Sequence, residues 1–169
     1  MKYLPTAFAQ LQFAWKLYHQ ALEGALNVET LDVPLTFQEG NLVFVLPDRI
    51  FDSQNDLIVA CENNLGIAFG AAAITLNRAR EEADIRVPQV IETEVDQFVA
   101  LAYQIRNAFA HDIAEPTWEI RSVRYEREYR FGAVRIDLRG RNRQVFRYAD
   151  VGGPEVLFSM YEYATQHVW

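Results

Sequence analysis

Apolar residues recur along residues 6–24 as Phe8, Leu11, Phe13, Trp15, Leu17, Tyr18 and Leu22. The spacing predicts a helix that is apolar over much of its surface, with Gly24 and Asn27 as its stops. Residues 28–48 read as extended, and the unbroken run Leu42–Leu46 reads as a buried strand ended by Pro47 and Asp48. Ser53 and Asp56 precede a longer helical pattern over about 53–84. Within it Gly66 and Gly70 are followed by Ala71, Ala72 and Ala73, small residues that let another helix approach closely. Pro88 breaks that pattern. A second long helix is expected over about 92–113, with Thr93 or Glu92 at its start and Glu94 and Asp96 at its positive end. Its apolar stripe is Val95, Phe98, Val99, Ala102, Ile105, Phe109 and Ile113.

The period changes to two after Thr117. Val134, Ile136 and Leu138 alternate with Arg135, Asp137 and Arg139, and Gly132 and Gly140-Arg141-Asn142 supply turns. This predicts a small antiparallel β-meander over about 117–149, with one face covered and one wet. Gly152-Gly153-Pro154 then opens a last helix over about 154–167. The expected architecture is a single, mostly α (α+β) domain over 1–169: a helical bundle with a small meander near the C-terminus.

Composition narrows this picture. Of 169 residues half are apolar and 13% aromatic, which excludes a disordered chain and supplies one real core. Cys61 is the single cysteine, so no intrachain disulfide can form, and a reducing cytoplasm is the expected location. The first residues lack the apolar centre of a signal peptide. The longest apolar stretch, Leu65 to Leu76, is short for a bilayer, so no membrane association is expected. A net charge of −7 argues against indiscriminate nucleic-acid binding. The charge is uneven, however: residues 119–147 hold nine arginines against four acidic residues, a local surplus of five positive charges.

Candidate chemistry concentrates in Arg106-Asn107-Ala108-Phe109-Ala110-His111-Asp112. Cleavage of RNA by its own 2′-hydroxyl needs a base for that proton and positive charge on the phosphate oxygens. A histidine suits the first task, and an arginine fork the second. Asn107 can orient His111 or donate to phosphate. On a continuous helix Asn107 and His111 share a face with Tyr103, whereas Arg106 lies about 140° from His111. Convergence then requires a long reach by Arg106, a distorted helix end, or a second copy of the chain. His19, His111 and His167 are far apart and form no HxxxH pair, so neither a metal nor a cofactor is expected.

Residues 106–111 resemble the R-x4–6-H motif of the HEPN superfamily, with the polar residue directly after arginine that this family favours. The resemblance implies a compact bundle of four or five helices, usually dimeric, with motifs from two protomers meeting in a cleft. It implies a metal-independent endoribonuclease, often a toxin or defence protein, with RNA as substrate and an antitoxin or regulatory protein as partner. Arg106, Asn107 and His111 would form the catalytic group. Tyr103, Glu62, Arg124 and Arg135 are further candidates for substrate contact, Glu62 also as the acid that faces Arg106. Asp112 is expected to be a local cap, and Trp118 a packing anchor or a surface for a stacked base. The alternative function is a noncatalytic HEPN-like module that acts through dimerisation or an anionic ligand.

Overall fold

A computed structural model describes residues 2–31, 35–46 and 49–169. The chain is mostly helical with two small antiparallel sheets. It forms two compact units, Gln12–Leu65 and a larger one built from Met1–Leu11 and Gly66–Trp169.

In the Gln12–Leu65 unit, helix α1 (Leu4–Leu22) ends where the Ala25 and Leu26 N–H groups fold back onto the Gln20 carbonyl. Gly24 permits this turn because its φ is +71°. The short helix α2 (Val28–Leu31) replaces part of the extended segment expected from residue 28, and Asn27 caps it by accepting the Thr30 N–H at 2.9 Å. Strands β1 (Leu35–Glu39) and β2 (Leu42–Leu46) form a hairpin. Leu42, Val43, Phe44 and Val45 of the expected buried strand are instead exposed, with Val45 at 69%. A continuous apolar run normally signals cover on both faces, and here β1 is the only strand paired with β2 among the described residues. The Pro47–Asp48 stop lies outside the described residues. Ser53 starts helix α3 (Gln54–Glu82) by exchanging hydrogen bonds with Asp56. Leu57 and Cys61 of α3 join Ala21 in this unit's core, and burial pushes the Cys61 thiol pKa up.

The larger unit is built on helix α4 (Glu94–Phe109), whose buried stripe includes Phe98, Leu101, Ala102, Ile105 and Phe109. Thr93 caps it as expected: its hydroxyl accepts the Asp96 N–H at 3.1 Å, and the Asp96 carboxylate accepts the Thr93 N–H at 2.8 Å. Helix α5 (Val156–His167) packs on α4. The meander reduces to one hairpin, β3 (Glu128–Phe131) with β4 (Val134–Asp137), plus an isolated bridge between Thr117 and Val145. The period-two reading holds on β4, where Val134 and Ile136 are buried and Arg135 and Asp137 exposed. Three arginines of 117–149 pair with acids two residues away: Arg121 with Glu119, Arg130 with Glu128 and Arg139 with Asp137. The last pair holds the Asp137 carboxyl at a pKa of about 2.

By length and composition α3 could cross a membrane, longer than its apolar run suggested. Its apolar residues Leu65, Ala68, Phe69, Ala72, Ala73 and Leu76 are buried, whereas Val59, Ile67 and Ile74 are exposed. Gly70 of α3 lies against Phe109, the last residue of α4. A Cβ there would stand 2.6 Å from Phe109 Cδ1 and 3.0 Å from Ile113 Cγ1. Phe109 cannot yield, because it is buried against Phe69 and Phe146. Gly70→Ala is therefore expected to destabilise by about 1–3 kcal/mol despite the better helix propensity of alanine. At Gly66 the nearest atom is 3.9 Å away, so Gly66→Ala should stabilise by about 0.5–1 kcal/mol. Urea unfolding of the two variants checks both signs.

Candidate functional site

The last two turns of α4 carry Tyr103, Gln104, Arg106 and Asn107. The helix stops at Phe109, four residues before the expected end at Ile113. Two sets of hydrogen bonds compete with its continuation. The returning chain places the Thr117 N–H on the Ala108 carbonyl at 3.1 Å. Asp112 Oδ1 accepts the Ala114 and Glu115 N–H groups at 2.8 and 3.0 Å. Those two bonds hold the Asp112 carboxyl below its ordinary pKa, and they make it the local turn residue expected.

This early stop makes the site. Beyond the helix end His111 is released from the helical wheel, and it lines the same pocket as Arg106. The pocket holds about 260 Å³. Tyr103, Gln104 and Asn107 of α4 also line it. A second wall comes from the segment after the turn. Trp118 and Ile120 are buried, so the alternate residues Glu119 and Arg121 face the pocket. Arg124 and Tyr125, from a 3-10 turn at Val123–Tyr125, complete the lining.

No protein-family model matches this chain, and no match is found among curated proteins or solved structures. The chemistry of the site follows from its geometry alone.

Arg106 Nη1 donates to Asn107 Oδ1 at 3.0 Å, so the asparagine fixes the guanidinium and not the imidazole. His111 has a different neighbour, Glu119, whose Oε2 lies 3.4 Å from its Nε2. The same oxygen accepts from Arg121 Nη2 at 2.7 Å. The His111 side chain is 69% exposed, open to an arriving substrate. Arg124 is tied down: its Nη1 donates to Gln89 Oε1 at 2.8 Å and its Nη2 to the Tyr125 hydroxyl at 2.6 Å. Its guanidinium also covers the Tyr125 ring at 4.6 Å. The lining thus holds three arginines and one carboxylate, a balance suited to an anion. Among the described residues no three His, Cys, Asp or Glu side chains gather to hold a metal ion.

Arg106, Asn107, His111, Tyr103 and Arg124 therefore meet in one pocket. Arg135 and Glu62 are not among its lining residues. Arg135 is pinned within the β3–β4 hairpin, donating to the Gly132 and Val134 carbonyls at 3.1 and 2.7 Å. Glu62 is exposed on α3 in the Gln12–Leu65 unit, and the acceptor beside Arg106 is Asn107. Trp118 is the packing anchor: it is fully buried and donates its Nε1–H to Asp150 at 3.0 Å. Sequence reasoning missed Glu119, Arg121 and Gln104. The polar–apolar alternation over 117–121 carried the signal for the first two, whereas Gln104 lies off the expected apolar stripe of α4 and no pattern signalled it. It also missed the buried arginine behind the site, Arg80, held by Asn77, Glu81 and the Ile85 carbonyl. Burial lowers the pKa of Arg80, Glu81 opposes that shift, and the positive Arg106 nearby adds to it.

Proposed function

We propose that this pocket binds a phosphodiester of RNA and cleaves it without a metal. His111 takes the proton of a 2′-hydroxyl, the freed oxygen attacks the adjacent phosphorus, and the bond from phosphorus to the 5′-oxygen breaks as that oxygen takes a proton from water. The products carry 2′,3′-cyclic phosphate and 5′-hydroxyl ends. Arg106 and Arg121 stabilise the charge that builds on the non-bridging oxygens, and Asn107 positions Arg106. The observation that carries this reading is the stop of α4 at Phe109, which brings His111 and Arg106 to one pocket. The resemblance of residues 106–111 to the HEPN motif supports it, and a cytoplasmic location and a homodimer are proposed with it.

The test is single-turnover cleavage in EDTA of an RNA oligonucleotide and its 2′-deoxy counterpart. The reading predicts that the RNA alone is cut and that cyclic phosphate ends appear. Cutting of both substrates, or of neither, contradicts it. The second reading is a noncatalytic module for an anionic ligand. The observation favouring it is that the pocket holds a single imidazole among its described lining residues, where acid and base could each use one. Phosphate-dependent binding without cleavage supports that alternative.

A further inference from the structure

The segment paired with the pocket wall carries an arginine in an unusual backbone position. The Arg143 N–H donates to the Trp118 carbonyl at 2.8 Å, and the Trp118 N–H donates to the Gln144 carbonyl at 2.9 Å. Two residues thus oppose one, a β-bulge against the segment that carries Glu119 and Arg121. The Gln144 N–H also closes a turn on the Arg141 carbonyl at 3.0 Å, with Arg143 at the third position. Such bulges and turns favour glycine where φ is positive, and here the residue is arginine, at a φ of +65°. Its side chain is exposed and makes no hydrogen bond or ion pair among the described residues. An arginine set against its backbone preference, with nothing in the chain to hold, points to a ligand outside the chain. The charge around it points the same way. Residues 138–149 hold four arginines and no acid, in a chain of net charge −7. Arg139 is engaged by Asp137 and Arg141 by Asp150. Arg147 has no ion pair among the described residues, and with Arg141 and Gln144 it lines a hollow of about 530 Å³.

We propose that Arg143 and Arg147 bind backbone phosphates of the RNA strand where it leaves the pocket. The inference rests on the reading of the pocket as an RNA site. A strand with one phosphodiester against Arg106 and His111 carries further phosphates on either side. Arg143 is hydrogen-bonded through its backbone to Trp118, the residue before Glu119, so a strand passing over this wall meets its free guanidinium. A bulge re-aims the side chain that it carries. Phosphate contacts of this kind position a strand and carry no sequence information. They release counterions, so binding that depends on them weakens as salt rises.

The experiment measures anisotropy of a labelled 2′-O-methyl dodecanucleotide of mixed sequence in EDTA, over a series of NaCl concentrations. This probe lacks the attacking hydroxyl and cannot be cut by the proposed route. Arg143→Gly and Arg147→Gln should each bind it about three- to fivefold more weakly than the parent. In each the slope of log affinity against log salt should be shallower by about 0.7. Arg143→Gly should melt no lower than the parent, because glycine accepts a positive φ. Arg143→Ala should lose the same affinity and melt below Arg143→Gly. Arg139→Gln makes the same change in net charge at an arginine already held by Asp137, and should bind as the parent does. Undiminished binding by Arg143→Gly or Arg147→Gln, an equal loss in Arg139→Gln, or a parent that binds the probe at no salt concentration overturns the inference. The expected losses, from a protein that cuts no RNA, would sink the nuclease reading and leave these phosphate contacts standing. RNA cleavage by a parent whose Arg143→Gly variant binds undiminished would do the reverse.

Discussion

Arg106→Ala is expected to lower single-turnover RNA cleavage in EDTA by about 10²–10³-fold, the usual effect of removing one donor from a transition-state charge. The geometry sets this size. Arg106 is half-buried, and its Nη1 is fixed on Asn107 Oδ1 at 3.0 Å, so its fork is oriented before substrate arrives. Such preorganisation makes a donor worth more to a transition state than to a ground state. Binding of uncleavable RNA should therefore weaken by much less than the rate falls. Arg106→Lys should recover little, because an ammonium has no planar fork to engage both Asn107 and a phosphate oxygen. The cost in stability should be small, about 1 kcal/mol, for one lost hydrogen bond. Rate, binding and urea midpoint measured on the same preparations separate these effects. A rate within about threefold of the parent would remove Arg106 from the chemistry.

Asp150→Ala should have the largest effect on stability, about 3 kcal/mol, read as a shift of the urea midpoint at constant slope. Asp150 has a side chain only 5% exposed. It accepts the Trp118 indole N–H at 3.0 Å and the Arg147 backbone N–H at 3.0 Å, and pairs with Arg141 Nη1 at 3.0 Å. Removing the carboxylate strands two buried donors, the costly way to break such a cluster. Arg141 is itself part-exposed, so screening trims its share. The loss should reach the pocket as well. Trp118 is fully buried and sits directly before Glu119, so freeing its indole loosens the strand-like segment that presents Glu119 and Arg121. Asp150→Asn keeps an acceptor for the indole and should lose about half as much. A midpoint shift worth less than about 0.5 kcal/mol for Asp150→Ala would show that the cluster does not hold this segment.

The start of α4 was legible in Thr93 and Asp96, because a capping box is a local device that needs nothing from the rest of the fold. Its end was not. Ile113 extends the apolar spacing of Ile105 and Phe109, and the period alone carries the helix on. What stops it is a tertiary hydrogen bond from Thr117 and the turn at Asp112, which the period does not register. The same distinction separates the two β regions. Leu42–Leu46 has the composition of a buried strand, but among the described residues it pairs with β1 alone, and Leu42, Val43, Phe44 and Val45 stay exposed. Val134–Leu138 alternates, and its alternation gives the buried face correctly. Arg106, Asn107 and His111 were visible as a site because they are neighbours in sequence. Glu119, Arg121 and Gln104 join them only through folding. Arg135 and Glu62 have suitable chemistry but are not among the pocket-lining residues.

The central claim is that His111 and Arg106 act together on one phosphodiester. The most direct test compares cleavage of a mixed RNA pool in EDTA by the parent and by His111→Ala, both monitored for fold by melting. Cleavage by the parent with 2′,3′-cyclic phosphate ends is expected, with a loss of at least about 10²-fold in the variant, as for removal of a general base. Equal cleavage by the two proteins would contradict it.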